Sequence, residues 1–329
     1  MVPFPNFPAH ISMTNVDYVV AVDEIGDPNK IATGAAKPTT DMRKLMMADY
    51  CTQFVINTPY FKDGFSYQTG VGGASIASTI SLAKVMKERG VRMRFGVGGL
   101  TKPMCQLLID DQVDALLDTQ DFDLAAVESV KDLHHFRISA GEYANPFNKG
   151  AVVNKLDFVI LAALEVDVNF NCNVVVDSNG MIIGAQGGHP DTAAGAKCAI
   201  VIAPLLQGRT PAICTDVTTV TTPGESVDVV ITDYGIAINP RRKDLIEAML
   251  PVYKKLKIRP TTLLLICVTS MGVMNLLPWG GPTMRAATFL GIGLADVEIK
   301  DHIKNCFFWI WGVSIVCLLA GLLLGVIKI

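Results

Sequence analysis

Three glycine-rich segments carry the densest chemical signal in the sequence: QTGVGGAS (68–75), RFGVGGLTKP (94–103) and IIGAQGGHPDTAAGAK (182–197). Glycine leaves main-chain N–H groups unshielded, and each segment precedes a stretch with helical patterning. Helix N-termini favour anions, so bared amides there suit a ligand rich in carboxylates or bearing a phosphate. The competing reading of any one segment is a tight turn that binds nothing. Glu165 and Asp167 alternate in ALEVDV (163–168) and share a strand face. They form either a carboxylate pair with one raised pKa or two acids held by charge pairing or capping. His134 and His135 are adjacent, point about 100° apart on a helix, and are poorly placed to chelate one metal together. The third glycine of a GxGxxG fingerprint is replaced by Ser75 in one segment and Thr101 in another, and GxxxxGK[ST], GxSxG and HExxH do not occur.

The elements that would position these residues read as an α/β fold on a largely parallel sheet with flanking helices, from about residue 16 to 257. Short β-branched runs predict strands at 18–22, 54–57, 91–97, 113–117, 158–164, 173–176, 199–203, 213–217 and 227–232. Helices are predicted over 39–52, 75–89, 103–110, 191–197 and 243–255. In the second of these, Ile76, Ile80, Leu82, Ala83 and Met86 supply an apolar face, and Gly90 ends it. Three glycine segments at strand–helix junctions of one sheet would gather on its carboxyl edge, where open α/β sheets bind ligands.

Composition narrows the classes. Charged residues make up 18% of 329, against roughly 25% in an ordinary soluble chain, and half the residues are hydrophobic. A formal charge of −3 excludes a strongly basic surface steered onto nucleic acid. Residues 1–15 read as an irregular leader without a basic n-region, so export is not expected and the part over 16–257 is placed in the cytoplasm. Eight scattered cysteines without zinc-like spacing read as reduced interior thiols, and no metal site is expected. Residues 307–327 run without a charge for 21 residues, about 31 Å of helix, which predicts a C-terminal transmembrane segment. A second apolar stretch (261–279) follows Lys254, Lys255, Lys257 and Arg259, so 258–329 is expected to be a membrane tail with one or two spans, in contact with lipid.

The runs VDYVVAVDEIGDPNKIATGAAKPTTD (16–41), GFSYQTGVGGAS (64–75), RFGVGGLTKPM (94–104), ISAGEYANPFNKG (138–150), ALEVDVNFNCNVVVDSNG (163–180), GAQGGHPDTAAGAK (184–197) and VVITDYGIAINPRR (229–242) resemble the citrate lyase α chain family. The likeness is nearly continuous over 16–257 and is with the second of that family's two similar halves. The resemblance implies a CoA-transferase-like (NagB/RpiA-type) fold. It implies exchange of acetate for citrate on an acyl carrier protein, or on CoA, with the citryl thioester passed to a β subunit. The co-substrate would be the phosphopantetheine arm of the carrier (γ) subunit, with no permanently bound cofactor. Related transferases use a glutamate nucleophile, whereas this branch would work through a mixed acetyl–citryl anhydride, and Gln120 and Asp121 stand near where that glutamate would fall. On this reading the amides of Gly72, Gly73, Gly98, Gly99, Gly187 and Gly188, with Gln186, bind substrate. His189 and Asp191 would meet a citrate carboxylate or orient a donor, Asp233 would position neighbours, and Glu165 is a weaker candidate.

The stretch 271–292 resembles instead the C-terminal part of citrate–metal–proton symporters. Two readings therefore stand: an enzyme subunit carrying a membrane tail, or a non-catalytic, membrane-attached citrate- or carrier-binding remnant of a gene fusion. A transporter needs many more spans than the two the tail offers.

Overall fold

A computed structural model describes residues 13–27, 39–177 and 179–255. The chain divides into two compact units, Met1–Ile236 and Ala237–Ile329. In the first, helix α1 (Met42–Ile56) leads to β1 (Phe65–Thr69), α2 (Gly73–Arg89), β2 (Met93–Leu100), α3 (Lys102–Ile109) and β3 (Leu116–Asp121). Then come α4 (Leu124–Ser129), β4 (His135–Arg137), α5 (Ala140–Ala144), β5 (Phe158–Ala162), β6 (Glu165–Asp167), β7 (Cys172–Asn173), α6 (His189–Gly195) and β8 (Cys198–Ile202). Short strands β9 (Leu206–Gln207), β10 (Thr210–Pro211) and β11 (Ile213–Cys214) precede β12 (Val229–Thr232), and β13 (Gly235–Ile238) contains the division. The second unit's described part ends in α7 (Lys243–Lys255), with Arg242 paired to Asp244 at 2.8 Å.

Among the described residues the main sheet has eight strands, and the order β12-β8-β5-β1-β2-β3-β4 within it is parallel throughout. The chain builds outward from β1 through β2, β3 and β4, then returns to β5 on the other side of β1. The strand order thus reverses between β1 and β5, and the carboxyl ends of these two strands bound the crevice where open sheets take ligands.

Strand β1 reads FSYQT, too polar to be predicted, yet all five residues are buried. Apart from the buried Gln68 Oε1, its side-chain polar groups have partners that only the fold supplies. Asp157 Oδ2 accepts from the Ser66 amide at 2.9 Å and lies 3.0 Å from its hydroxyl, while Lys197 Nζ donates to Asp157 Oδ1 at 2.6 Å. Tyr67 and Thr79 share a hydroxyl contact at 3.2 Å, and Thr69 Oγ1 donates to the Ser75 carbonyl. Phe65 and Phe158 meet edge-on beneath them, 5.9 Å between centroids.

The predicted strand 54–57 is the last turn of α1. Met47, Cys51, Phe54 and Val55 are buried at helical spacing, and Asp41 caps the start by accepting from the Arg43 amide. Nor is 18–22 a strand: Tyr18, Val19 and Val20 are exposed, and nothing among the described residues pairs with them. Glycines 96, 98 and 99 lie within β2 rather than in a turn after it. Helix α2 forms with Ile76, Leu82 and Met86 buried and Gly90 at φ 64° as its left-handed C-cap, but Ile80, expected on the apolar face, is exposed and Ala83 is half-buried. No helix among the described residues is long and apolar enough to cross a membrane, and the predicted spans within 258–329 lie outside the described residues.

Candidate functional site

A cavity of about 530 Å3 opens at the β1/β5 reversal. Its walls are the first turn of α2 (Gly72, Gly73, Ala74, Ser75), the end of β5 with Ala163 and Leu164, and the loop around Leu206. Arg43 and Lys44 from the start of α1 line it as well. Gly72 caps α2 without a side chain, and the amides of Gly73, Ala74 and Ser75 find no acceptor among the described residues. Bared N–H groups at a helix N-terminus, with two cations alongside, make a site for a small polyanion. Arg43 holds only a loose pairing with Asp41 at 3.6 Å and keeps half its side chain in solvent, so it is available to a ligand.

The other sequence candidates stand one step behind these walls. Buried His189 is fixed through both ring nitrogens: Nε2 faces the Ala162 carbonyl at 3.1 Å and Nδ1 the Thr222 hydroxyl at 2.6 Å. Burial pushes its pKa down to about 4, so the ring is neutral. It steadies the Ala162 wall and has no nitrogen left for a ligand. Asp233 accepts from the Leu205 amide at 2.7 Å, which ties down the loop between two cavity-lining neighbours, Pro204 and Leu206. Glu165 and Asp167 serve separate turns: Glu165 accepts from Asn173 and Thr218, and Asp167 from the amides of Asn169 and Asn171.

Of the three glycine segments, only the first lines the cavity. The second and third each approach one member of a hydrogen-bonded pair on the far side of β1. There Gln68 donates to the Tyr143 hydroxyl at 2.6 Å, a Cβ at Gly98 would press on Gln68, and one at Gly188 would press on Tyr143. Gly99 instead packs under the Phe122 ring. Gln186 and Gly187 are exposed ahead of α6, and Asp191 lies in its first turn.

Sequence reading passed over Arg43 and Lys44. The available signal was a capping Asp41 followed directly by two cations at a helix start.

A second polar cluster lies along β3 and at the start of β4. Asp118, Asp121 and His135 each bring one oxygen or nitrogen within 4.8 Å of the others. Protein groups already serve it: His135 Nε2 lies 3.3 Å from Asp118, its Nδ1 meets Ser129, and Arg137 reaches Asp121 at 3.3 Å. Burial, then the neighbouring Asp118, raises the Asp121 pKa to about 6.

Residues 1–264 match the family model "Citrate lyase, alpha subunit (CitF)". The chain belongs to the citrate lyase alpha subunit family. It is 47% identical over 249 residues to the citrate lyase alpha chain of Haemophilus influenzae, 75% of this chain and 50% of that one. The Klebsiella pneumoniae citrate lyase alpha chain is 48% identical over 247 residues, again 75% of this chain and 49% of the relative. The chain thus spans about half the length of the curated citrate lyase relatives it matches. A crystal structure of the putative citrate lyase alpha subunit of Streptococcus mutans in complex with citrate superposes with a TM-score of 0.70 at 49% identity, covering 75% of this chain and 49% of that one. Toward the C-terminal end, 51 residues are 52% identical to the Mg(2+)/citrate complex secondary transporter of Bacillus subtilis, 16% of this chain and 12% of the transporter.

Proposed function

We propose that this chain is the citrate-binding part of a citrate lyase alpha subunit, of CoA-transferase-like fold, and moves an acyl-carrier or CoA thioester from acetate to citrate. The observation that carries the reading is the cavity at the β1/β5 reversal, with the open α2 N-terminus and Arg43 on its walls, in a chain 49% identical to a citrate-bound relative. Citrate's carboxylates would dock on the amides of Gly73, Ala74 and Ser75 and on the cations Arg43 and Lys44.

The carboxylate on the cavity wall, Asp41, is taken up in capping α1 through the Arg43 amide, and the family resemblance points to citrate itself as the nucleophile. A citrate carboxylate oxygen attacks the acetyl thioester carbonyl, and the carrier thiolate leaves, giving a mixed acetyl–citryl anhydride. The thiolate then attacks the citryl carbonyl of that anhydride, and acetate leaves. Holding two acyl groups together and stabilising each oxyanion is the protein's work, and main-chain N–H groups can do both. The partners would be the carrier (γ) and β subunits, in the cytoplasm.

The test mixes the full chain with acetylated carrier protein and citrate and measures released acetate, with and without the family's other half supplied in trans. Acetate in either mixture supports the reading. Citrate binding without acetate in both favours the second reading, a non-catalytic remnant left by fusion. The half-length match and the transporter-like stretch at the end favour that alternative. On either reading the apolar run 307–327 would tether the chain to lipid, which flotation with phospholipid vesicles measures directly.

A further inference from the structure

We propose that Gln68 and Tyr143 recognise an uncharged amide of a thioester-bearing arm, on the side of β1 opposite the anion cavity. The inference rests on the transfer reading above and adds where the second substrate lies.

Neighbouring residues of β1 alternate between the sheet's two faces. Tyr67 and Thr69 reach α2 through Thr79 and the Ser75 carbonyl, whereas Gln68 reaches α5 through Tyr143. Gln68 is 7% and Tyr143 9% accessible. Their bond, 2.6 Å from Gln68 Nε2 to the Tyr143 oxygen, leaves two polar groups unused. Gln68 Oε1 is buried without a partner, and the Tyr143 hydroxyl hydrogen has no acceptor among the described residues. A buried carbonyl is costly to leave unpaired. Burial also holds the phenol well above its ordinary pKa, so it stays a donor. The pair therefore presents an acceptor beside a donor, the complement of an amide's N–H and C=O. Turning the Gln68 amide over changes which end is unpaired and leaves the count the same.

Two glycines keep the pair in place. A Cβ at Gly98, where φ is +110°, would lie 3.3 Å from Gln68, and one at Gly188 would lie 2.7 Å from the Tyr143 ring. The charge that acts on Tyr143 is the negative one of Asp191. A tricarboxylate is repelled there and a neutral amide is not, while Arg43 and Lys44 favour the tricarboxylate on the other side. The carboxyl end of β1 lies between the two.

The experiment uses the full chain and two small thioesters, S-acetyl-N-acetylcysteamine, which carries one amide, and S-acetyl-2-mercaptoethanol, which carries none. Dissociation constants are measured by NMR titration, with citrate titrated in parallel. The wild type is expected to prefer the amide-bearing thioester by about tenfold. Gln68→Leu and Tyr143→Phe each erase that preference and leave citrate affinity unchanged. Tyr143→Phe keeps the ring and reports even if Gln68→Leu fails to fold. The proposal is overturned by a preference retained in a folded variant, by loss of citrate and amide binding together, or by a wild type that shows no preference or binds neither thioester. A wild type that binds no citrate strikes the transfer reading alone.

Discussion

The Thr222 hydroxyl sits 2.6 Å from His189 Nδ1 while the Ala162 carbonyl faces Nε2 at 3.1 Å, so the proton on this imidazole is fixed. A carbonyl only accepts, which puts the hydrogen on Nε2, and Nδ1 is left to accept from Thr222. The ring is therefore part of the wall behind the cavity, and its protonation would force the Thr222 bond to reverse and place a charge in a buried setting.

That arrangement makes stability depend on pH. The His189 pKa falls from 6.5 to about 4 on folding. Between those values the unfolded chain binds a proton that the folded chain refuses. The His189 contribution is thus intact above pH 6.5 and is lost as pH falls through the window, by on the order of 3 kcal/mol. Denaturant midpoints at pH 7.5 and 4.5 should show a steeper acid loss in the wild type than in His189→Gln.

Asp121 works in the opposite sense. Its pKa is raised from 3.8 to about 6 by burial and by Asp118, so its ionisation opposes folding as pH rises through that range. Asp121→Asn should be more stable than wild type at pH 8 by about 1 kcal/mol, after allowing for its partial exposure and the Arg137 pairing it gives up. The difference should close by pH 4, which matched melting curves at the two pH values would show.

Citrate affinity should respond to the cations at the cavity mouth. Arg43→Ala and Lys44→Ala are each expected to weaken binding about three- to tenfold, with a shallower salt dependence than wild type, because both groups are solvent-facing and screened. Calorimetric titrations at two ionic strengths read both effects. Unchanged affinity in the double variant would move the anion elsewhere.

Asp233 should act through its loop. Asp233→Ala removes the acceptor of the Leu205 amide and is expected to weaken citrate several-fold, an effect of about 1 kcal/mol. Asp233→Asn keeps an oxygen in place and should restore most of the affinity. Equal losses in the two variants would point to the charge instead.

Gly99 is a packing position. A Cβ there would fall 1.9 Å from the Phe122 ring, so Gly99→Ala should cost about 1–3 kcal/mol of unfolding free energy. A second change, Phe122→Leu, should recover part of it in the same denaturant series.

The parts of the fold that hydropathy describes were readable in advance: the apolar strands β5, β8 and β12, and α2 with its Gly90 stop. What escaped were elements whose pattern depends on distant partners. Strand β1 looks polar until Asp157, Thr79 and Tyr143 are beside it, and the end of α1 looks like a strand because its β-branched run hides the spacing of Met47, Cys51 and Val55. The glycine segments were visible as a class. Their division into one that lines a cavity and two that make room for Gln68 and Tyr143 depends on strand order, which no local pattern contains.

The Ser66–Asp157–Lys197 contact has a bearing on how the sheet assembles. Were β1 to slide one residue along β5, Phe65 or Tyr67 would stand where Ser66 does, and a buried carboxylate would lose its hydroxyl donor. Misaligned pairings are penalised because that acid loses the Ser66 hydroxyl, so the least hydrophobic stretch of the centre acts as a proofreader of its alignment.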